Sequence, residues 1–293
     1  MKPPRFAYHD PATRSDVLAL LAAYSDDAKV LAGGQSLVPL LNMRLAQPAH
    51  LVDINRLADL AYIREQDGGL VIGALTRHRD IERSALVRRR CPLLAEAMPF
   101  VGHPPIRSRG TIGGSLAHAD PAAELPVVLL ALDGHIRAES LEGSREFSAG
   151  VFFISQLETA LTPGELLTEA WFPPAPARSG SAFVEVSRRH GDFALVGVAV
   201  QLALHEDGTI AAAKLALMGV ADTPVRAHNV ERLLLDEPVG EYIFTAAAEQ
   251  AAAELDPDSD IHASAQYRRD VAGVLINRAL HKAAARAHQG DQI

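Results

Sequence analysis

The sequence predicts a mixed α and β protein in three parts: a small lobe of alternating strands and helices, a second lobe opening on a β-hairpin, and a C-terminal domain of antiparallel strands followed by helices. Three observations predict it. Strand-like and helix-like runs alternate from Phe6 to Ile54, which implies parallel pairing across helical crossovers. Asp67-Gly68-Gly69, between two short apolar runs, is the punctuation of a hairpin. Pro173 to Ser181 holds three prolines among small residues with no periodicity, and marks a junction between domains.

Taken in order, Phe6 to Tyr8 reads as a short strand, and Thr13 to Asp16 has the form of a capping box, a hydroxyl followed three residues later by an acid. The helix behind it carries Val17, Leu18, Leu20, Leu21 and Tyr24 on one 3.6-residue face. Lys29 to Ala32 reads as a strand, Ser36 to Leu45 as a helix and His50 to Ile54 as a strand. The second lobe begins near Leu57, with strands at Tyr62–Arg64 and Leu70–Ala74 and helices over Thr76–Arg83 and Pro92–Phe100. Glu124–Leu132 reads as helical, His135–Glu139 and Leu166–Phe172 as strands, and Pro163-Gly164 as a turn. Past the junction, Phe183–Ser187, Leu195–Leu204 and Ala211–Val220 predict a three-stranded antiparallel sheet, and Ala227–Ala287 a helical end with a long run from Ala265.

Two glycine-rich stretches stand out from this scaffold. Ala32-Gly33-Gly34-Gln35-Ser36-Leu37 joins a strand to a helix; Gly110-Thr111-Ile112-Gly113-Gly114-Ser115, leading into His118 and Asp120, reads as a loop. Glycine reaches positive φ freely and lacks Cβ, so consecutive N–H groups converge on an anion. Where a helix follows, its first N–H groups and its dipole favour negative charge. Ser36, Thr111 and Ser115 add hydroxyls, so two such stretches suggest two phosphates.

Other chemistries fit poorly. A formal net charge of -8 argues against a nucleic-acid partner, and Arg88–Arg90 and Arg188–His190 are too short to be more than surface or a protein contact. The apolar runs Val127–Leu132 and Leu195–Val200 fall well below the ~18 residues that span a bilayer. Met1 to Arg5 has no apolar segment behind it, so no transmembrane segment or secretory signal is expected and a cytoplasmic chain is, including one peripheral at the inner face of the membrane. A single cysteine, Cys91, agrees with that compartment, forms no internal disulfide and leaves no ligand set for an iron–sulfur cluster or structural zinc, so no metal site is expected. Neither GxGxxG nor GxxxxGK[ST] occurs, which removes the Rossmann and P-loop architectures. Gly113-Gly114-Ser115-Leu116-Ala117 resembles a nucleophile elbow, but Pro104 to Gly110 makes a poor preceding strand, and His118 and Asp120 lie too close in sequence to converge on Ser115 as a triad. For His118 a loop hydrogen bond, and for Asp120 before Pro121 an N-cap, stand beside any ligand role.

The segments AGGQSL at Ala32–Leu37 and TIGGSLAHADPAAELP at Thr111–Pro126 resemble the two signature loops of the FAD-binding medium subunits of molybdenum hydroxylases, the carbon monoxide dehydrogenase and xanthine dehydrogenase family. The resemblance continues through Leu51–Ile54, Ile72–Ala74, Pro163–Leu167, Arg188–Phe193, Thr223-Pro224 and Tyr267-Arg268. It implies an α+β fold: a two-lobed FAD-binding domain of the vanillyl-alcohol oxidase and MurB type over residues 1–175, with lobes of about 1–56 and 57–175, and a C-terminal domain over 176–293 with the three-stranded sheet and helices. By position it implies that Ala32, Gly33, Gly34, Gln35, Ser36 and Leu37 form one cradle for the FAD pyrophosphate and Thr111, Ile112, Gly113, Gly114 and Ser115 the other. His118, Asp120 and Glu124 would meet polar groups of FAD, Glu124 at the ribose or adenine end; Val101 and Leu161 would be apolar walls, and Phe193 would pack near the isoalloxazine.

The resemblance further implies an oxidoreductase subunit with no catalytic acid or base of its own. It would take electrons from an iron–sulfur small subunit, fed by a molybdenum-cofactor large subunit that holds the substrate, in a dimer of heterotrimers, and pass them to an external acceptor. Gln35 stands where several relatives have histidine, Ser115 where many have asparagine, Phe193 where carbon monoxide dehydrogenases tend to have tyrosine, and Glu185 near a frequent lysine. A stand-alone flavin oxidoreductase and a non-catalytic nucleotide-binding scaffold are the rival readings. Flavin stoichiometry and turnover of the isolated chain separate them.

Overall fold

The computed structural model describes residues 2–289; Met1, part of the N-terminal reading, and residues 290–293 of the expected C-terminal domain lie outside the described residues. The chain begins with β1 (Ala7–His9), α1 (Arg14–Tyr24), β2 (Ala28–Leu31), α2 (Leu37–Asn42) and β3 (His50–Asp53). The three strands form a parallel sheet in the order β1-β3-β2. The two residues of the expected capping box meet at the helix start: the Thr13 hydroxyl accepts the Asp16 N–H at 3.1 Å and donates to the Asp16 carboxylate at 2.6 Å. Val17, Leu18 and Leu21 of α1 then bury against Val52, Ile54, Leu57 and Leu60, each fully buried aliphatic side chain contributing about 1.5–3 kcal/mol. The helix expected over Ser36–Leu45 is shorter, and Leu45 lies exposed beyond it.

The second lobe opens on β4 (Ile63–Gln66) and β5 (Gly69–Gly73), joined through Asp67 and Gly68, both at positive φ as a two-residue hairpin turn requires. Five short helices follow: α3 (His78–Arg83), α4 (Ala85–Arg90), α5 (Pro92–Ala97), α6 (Pro104–Arg107) and α7 (Ile112–His118). Then come α8 (Glu124–Ala131), β6 (His135–Ser140), β7 (Gly143–Ser148), α9 (Ala149–Phe152), β8 (Phe153–Ser155), β9 (Glu158–Thr159) and β10 (Leu166–Phe172). The sheet runs β4-β5-β10-β6-β7, antiparallel throughout, with β8 and β9 as a separate hairpin. Every residue of α8 is buried, because one side faces this sheet and the other the C-terminal domain. One apolar cluster accordingly joins Leu70, Ile72, Val128 and Phe172 to Phe183, Ala199, Ala216 and Met218.

The C-terminal part contains β11 (Ser179–Ser187), β12 (Ala194–Leu204), β13 (Ile210–Met218), β14 (Val225–Arg226), α10 (His228–Leu234), α11 (Glu241–Glu254) and α12 (Ala265–Gln289). The three expected antiparallel strands are present, extended at one edge by the two residues of β14. Ser179 to Ser181, read in the sequence as the end of a linker, already belong to β11. A Cβ at Gly180 would overlap the backbone of Ala283 and Ala287, so these small residues let α12 lie close on the sheet. No helix among the described residues is long and apolar enough to cross a membrane.

Candidate functional site

The two glycine segments come from different lobes and meet. Gly33 lies so close to Arg109 and Gly110 that a Cβ there would fall 2.8 Å from the Gly110 Cα and inside contact distance of the Arg109 carbonyl oxygen. Gly34 has φ of +72°, the left-handed region where glycine is unstrained. Between β2 and α2 the backbone bends so that the N–H groups of Gly33, Gly34, Gln35, Ser36 and Leu37 have no acceptor among the described residues. Five successive free donors at the mouth of a helix form a nest for an anion. The Gln35 side chain turns back to donate to the Gly33 carbonyl at 3.0 Å, and the Ser36 hydroxyl makes no capping bond.

The second segment differs from the loop expected for it. Ile112 to His118 is helix α7, with Thr111 as its N-cap. Its first N–H groups are not free: Ile112 donates to Thr76 O at 3.1 Å, Gly113 to Ala74 O at 2.9 Å, Gly114 to Thr111 Oγ1 at 3.1 Å and Ser115 to Thr111 O at 3.0 Å. The physical reason is the approach of α7 to the strand end at Ala74, where a Cβ on Gly113 would come 2.6 Å from the Ala74 Cβ. Gly113 therefore serves packing. What this turn presents is the exposed Gly114, the half-buried Ser115 hydroxyl and the positive end of the helix dipole.

A Cβ on Gly114 would first meet Thr111 Oγ1 at 2.8 Å, the capping oxygen.

The remaining expected residues lie in the second lobe and, for Phe193, in the loop between β11 and β12. Helix α7 ends at Ala119 in the left-handed region, and Asp120 Oδ1 accepts the Ala122 N–H at 2.9 Å; Asp120 closes a turn there and does not cap α8. Burial lowers His118, with Asp120 opposing it. Glu124 opens α8 at 8 % exposure, and burial, with Asp120 adding to it, raises it to about 7. Glu185 on β11 is raised to about 8 by burial and by Glu124, and its Oε2 has no partner. Val101 and Leu161 pack on the same apolar cluster. Phe193 is 69 % exposed, and its loop rests on the segment before α6, since a Cβ on Gly191 would meet the His103 ring at 2.6 Å.

Three residues that the sequence reading passed over sit between the segments. Arg77 pairs with Thr111 as an isolated antiparallel bridge, and burial, then the nearby Arg109 guanidinium, lower it below the usual arginine range. Neither Arg77 nor Arg109 forms an ion pair with a carboxylate among the described residues, although the charges of Asp80 and Asp53 lie near enough to favour the Arg77 cation. His78 lies beneath Gly110, donates its backbone N–H to Gly110 O at 2.9 Å, and is held neutral by burial, at about 4. The only signal for Arg77 and His78 was the strand end at Gly73-Ala74 before them, and for Arg109 its place beside Gly110, patterns with no chemistry of their own.

Residues 4–175 match the family model for the FAD binding domain in molybdopterin dehydrogenase, and residues 181–283 the one for the CO dehydrogenase flavoprotein C-terminal domain. The chain belongs to the FAD-binding medium subunits of the molybdenum hydroxylases. As such it is an FAD-binding electron-transfer subunit of a molybdenum hydroxylase complex. It is 47% identical over 287 residues to the 6-hydroxypseudooxynicotine dehydrogenase complex subunit alpha of Paenarthrobacter nicotinovorans, covering 98% of this chain and 97% of that one. It is 38% identical to the carbon monoxide dehydrogenase medium chain of Hydrogenophaga pseudoflava, over 98% and 99% of the two chains. Among solved structures, carbon monoxide dehydrogenase from the same organism, lacking the Mo-pyranopterin moiety, superposes with a TM-score of 0.94 at 40% identity, covering 98% and 99%. Quinoline 2-oxidoreductase from Pseudomonas putida 86 gives 0.93 at 38%, with the same coverage. The medium subunit's donor set fits a dinucleotide diphosphate: a nest of free N–H groups, the hydroxyls of Ser36 and Ser115, and the Arg77 and Arg109 guanidiniums, neither of which has an ion pair among the described residues.

Proposed function

We propose that this medium subunit holds the FAD diphosphate where its two glycine segments meet. The observation that carries the reading is the run of five unpartnered N–H groups from Gly33 to Leu37, lying against the backbone of Arg109 and Gly110. Ala32, Gly33, Gly34, Gln35, Ser36 and Leu37 bind through this nest and the Ser36 hydroxyl. On the facing side, Thr111, Ile112 and Gly113 fix the turn of α7, and Gly114 and Ser115 offer its surface and a hydroxyl. His118, Asp120 and Glu124 meet polar groups of the cofactor further along, Val101 and Leu161 exclude water from its apolar parts, and the exposed Phe193 ring covers the isoalloxazine. When bound, FAD supplies the two-electron to one-electron redox chemistry that no side chain here provides.

In this reading residues 1–175 are the FAD-binding domain, in lobes of about 1–56 and 57–175, and residues 176–293 the C-terminal domain. The apolar cluster of the α10–α12 layer draws only on residues 182–287 and supports the C-terminal domain, while the cluster around α1 also takes in Leu57, Leu60, Leu75 and Leu166 of the second lobe. The subunit works in the cytoplasm beside an iron–sulfur small subunit, from which it takes electrons, and a molybdenum-cofactor large subunit, which holds the substrate site, in a dimer of heterotrimers. It passes the electrons to an external acceptor. The relatives' own descriptions as subunits of dehydrogenases, with one cysteine in this chain, support partner chains as the source of the iron–sulfur relay. Titrating the flavin-free chain with FAD tests the reading: saturable quenching of flavin fluorescence at one FAD per chain is expected, and no uptake overturns it.

A further inference from the structure

Among the described residues no hydrogen bond runs directly from Ala32–Leu37 to Thr111–Ser115. A side-chain relay spans the gap. Asn55 Nδ2 donates to the Ala32 carbonyl at 2.8 Å, the Arg77 guanidinium donates to Asn55 Oδ1 at 2.7 Å through NH2, and its NH1 donates to the Arg109 carbonyl. The relay starts at the carbonyl immediately before Gly33 and ends at the carbonyl immediately before Gly110, the two glycines in closest approach. Both ends are stiffened. Asp53 Oδ1 accepts the Asn55 backbone N–H at 2.9 Å and its Nδ2 at 2.6 Å, which fixes the amide; the Arg77 backbone is bridged to Thr111, and the next residue donates to Gly110 O.

We propose that Arg77, acting through Asn55, is the positioning residue of the cofactor clamp: it sets the spacing of the two glycine segments across the lobes. The proposal rests on the reading that these segments hold the FAD diphosphate. A planar guanidinium donates two bonds in fixed directions, so it acts as a spacer; a lysine ammonium reaches one acceptor flexibly and does not. Asn55 is exposed and Arg77 half-buried, so the relay's hydrogen bonds exchange with bonds to water and add modestly to folding, while they set how far apart the segments stand. With the relay gone the lobes separate slightly in the flavin-free chain, and binding must close them again.

The test compares wild type, Arg77→Lys, Arg77→Ala, Asn55→Ala and the Arg77→Ala/Asn55→Ala pair by FAD fluorescence titration, with the Tm of each flavin-free chain. Each single variant is expected to weaken FAD about tenfold. Lysine should not rescue, the pair should be no worse than either single change, and the flavin-free Tm should stay close to that of wild type. Wild-type affinity in Asn55→Ala, rescue by Arg77→Lys, or losses that multiply in the pair would each overturn the relay and leave Arg77 as a plain point charge. If Arg77→Ala fails to fold, Asn55→Ala and Arg77→Lys decide alone. If wild type takes up no FAD, the clamp reading itself fails; if wild type and the relay variants bind FAD equally tightly, the relay alone fails.

Discussion

Replacing Gly33 with alanine puts one methyl group into the contact between the lobes. Its Cβ would stand 2.8 Å from the Gly110 Cα, where ordinary contact starts at 3.4 Å, and closer still to the Arg109 carbonyl oxygen. Both neighbours are backbone, so no rotamer change relieves the overlap, and the segments must part by roughly 0.6 Å or more. Overpacking of this kind costs about 1–3 kcal/mol. In the flavin-free chain only the Asn55–Arg77 relay ties the segments together, so the contact opens by straining that relay and part of the cost is avoided. A bound diphosphate would hold them together, and the cost then appears in binding. FAD affinity of Gly33→Ala is expected to fall by about ten- to a hundredfold, which corresponds to about 1.4–2.8 kcal/mol. The flavin-free Tm should change little. The assay is fluorescence titration beside thermal melting, with Gly150→Ala as control, since a Cβ there meets nothing within 4 Å. Wild-type affinity in Gly33→Ala would refute the reasoning, because the close approach would then have no part in binding.

Thr111→Val removes the hydroxyl that accepts the Gly114 N–H and should cost about 1 kcal/mol of stability, read by chemical denaturation; an unchanged midpoint would count against the cap. Phe193→Ala should leave Tm unchanged, as the ring is 69 % exposed, while altering the fluorescence of bound flavin; a large loss of Tm would place the ring in the core instead. The carboxylates Glu124 and Glu185, raised to about 7 and about 8 from 4.5, keep protons in the folded chain that the unfolded chain has already lost. Their contribution is fully present below pH 4.5 and is lost as pH rises through 7 and 8. His78, lowered to about 4 from 6.5, works the other way, stabilising as pH rises, but its effect is complete by 6.5. Flavin-free stability should therefore fall between pH 6.5 and 8, and Glu185→Gln should flatten the slope; a rise over that window contradicts the assignment.

Much of the architecture was legible because local and tertiary preferences agree. The Thr13–Asp16 pair at the helix start, the apolar face from Val17 to Leu21 and the Asp67-Gly68 turn all appear as read. The second glycine segment was misread because glycine and serine depress helix propensity, whereas its helix is imposed by the Thr111 cap and by the contact of Gly113 with Ala74. Strand β7 passed unread because its face is solvated and only Phe147 is buried along it. Ser179-Gly180-Ser181 looked like linker because small residues serve flexible chain and close packing equally well, and only α12 tells which. The first glycine segment was visible as composition. The Asn55–Arg77 relay was not, since its members stand 22 residues apart and neither type announces an anion site.

Flavin stoichiometry of the purified chain, by absorbance and extraction after reconstitution with excess FAD and gel filtration, tests the central claim most directly. One FAD per wild-type chain and a marked loss in Gly33→Ala are the predicted results. A chain that keeps no flavin, or a variant that keeps as much as wild type, would contradict the assignment of the joined glycine segments as the FAD clamp.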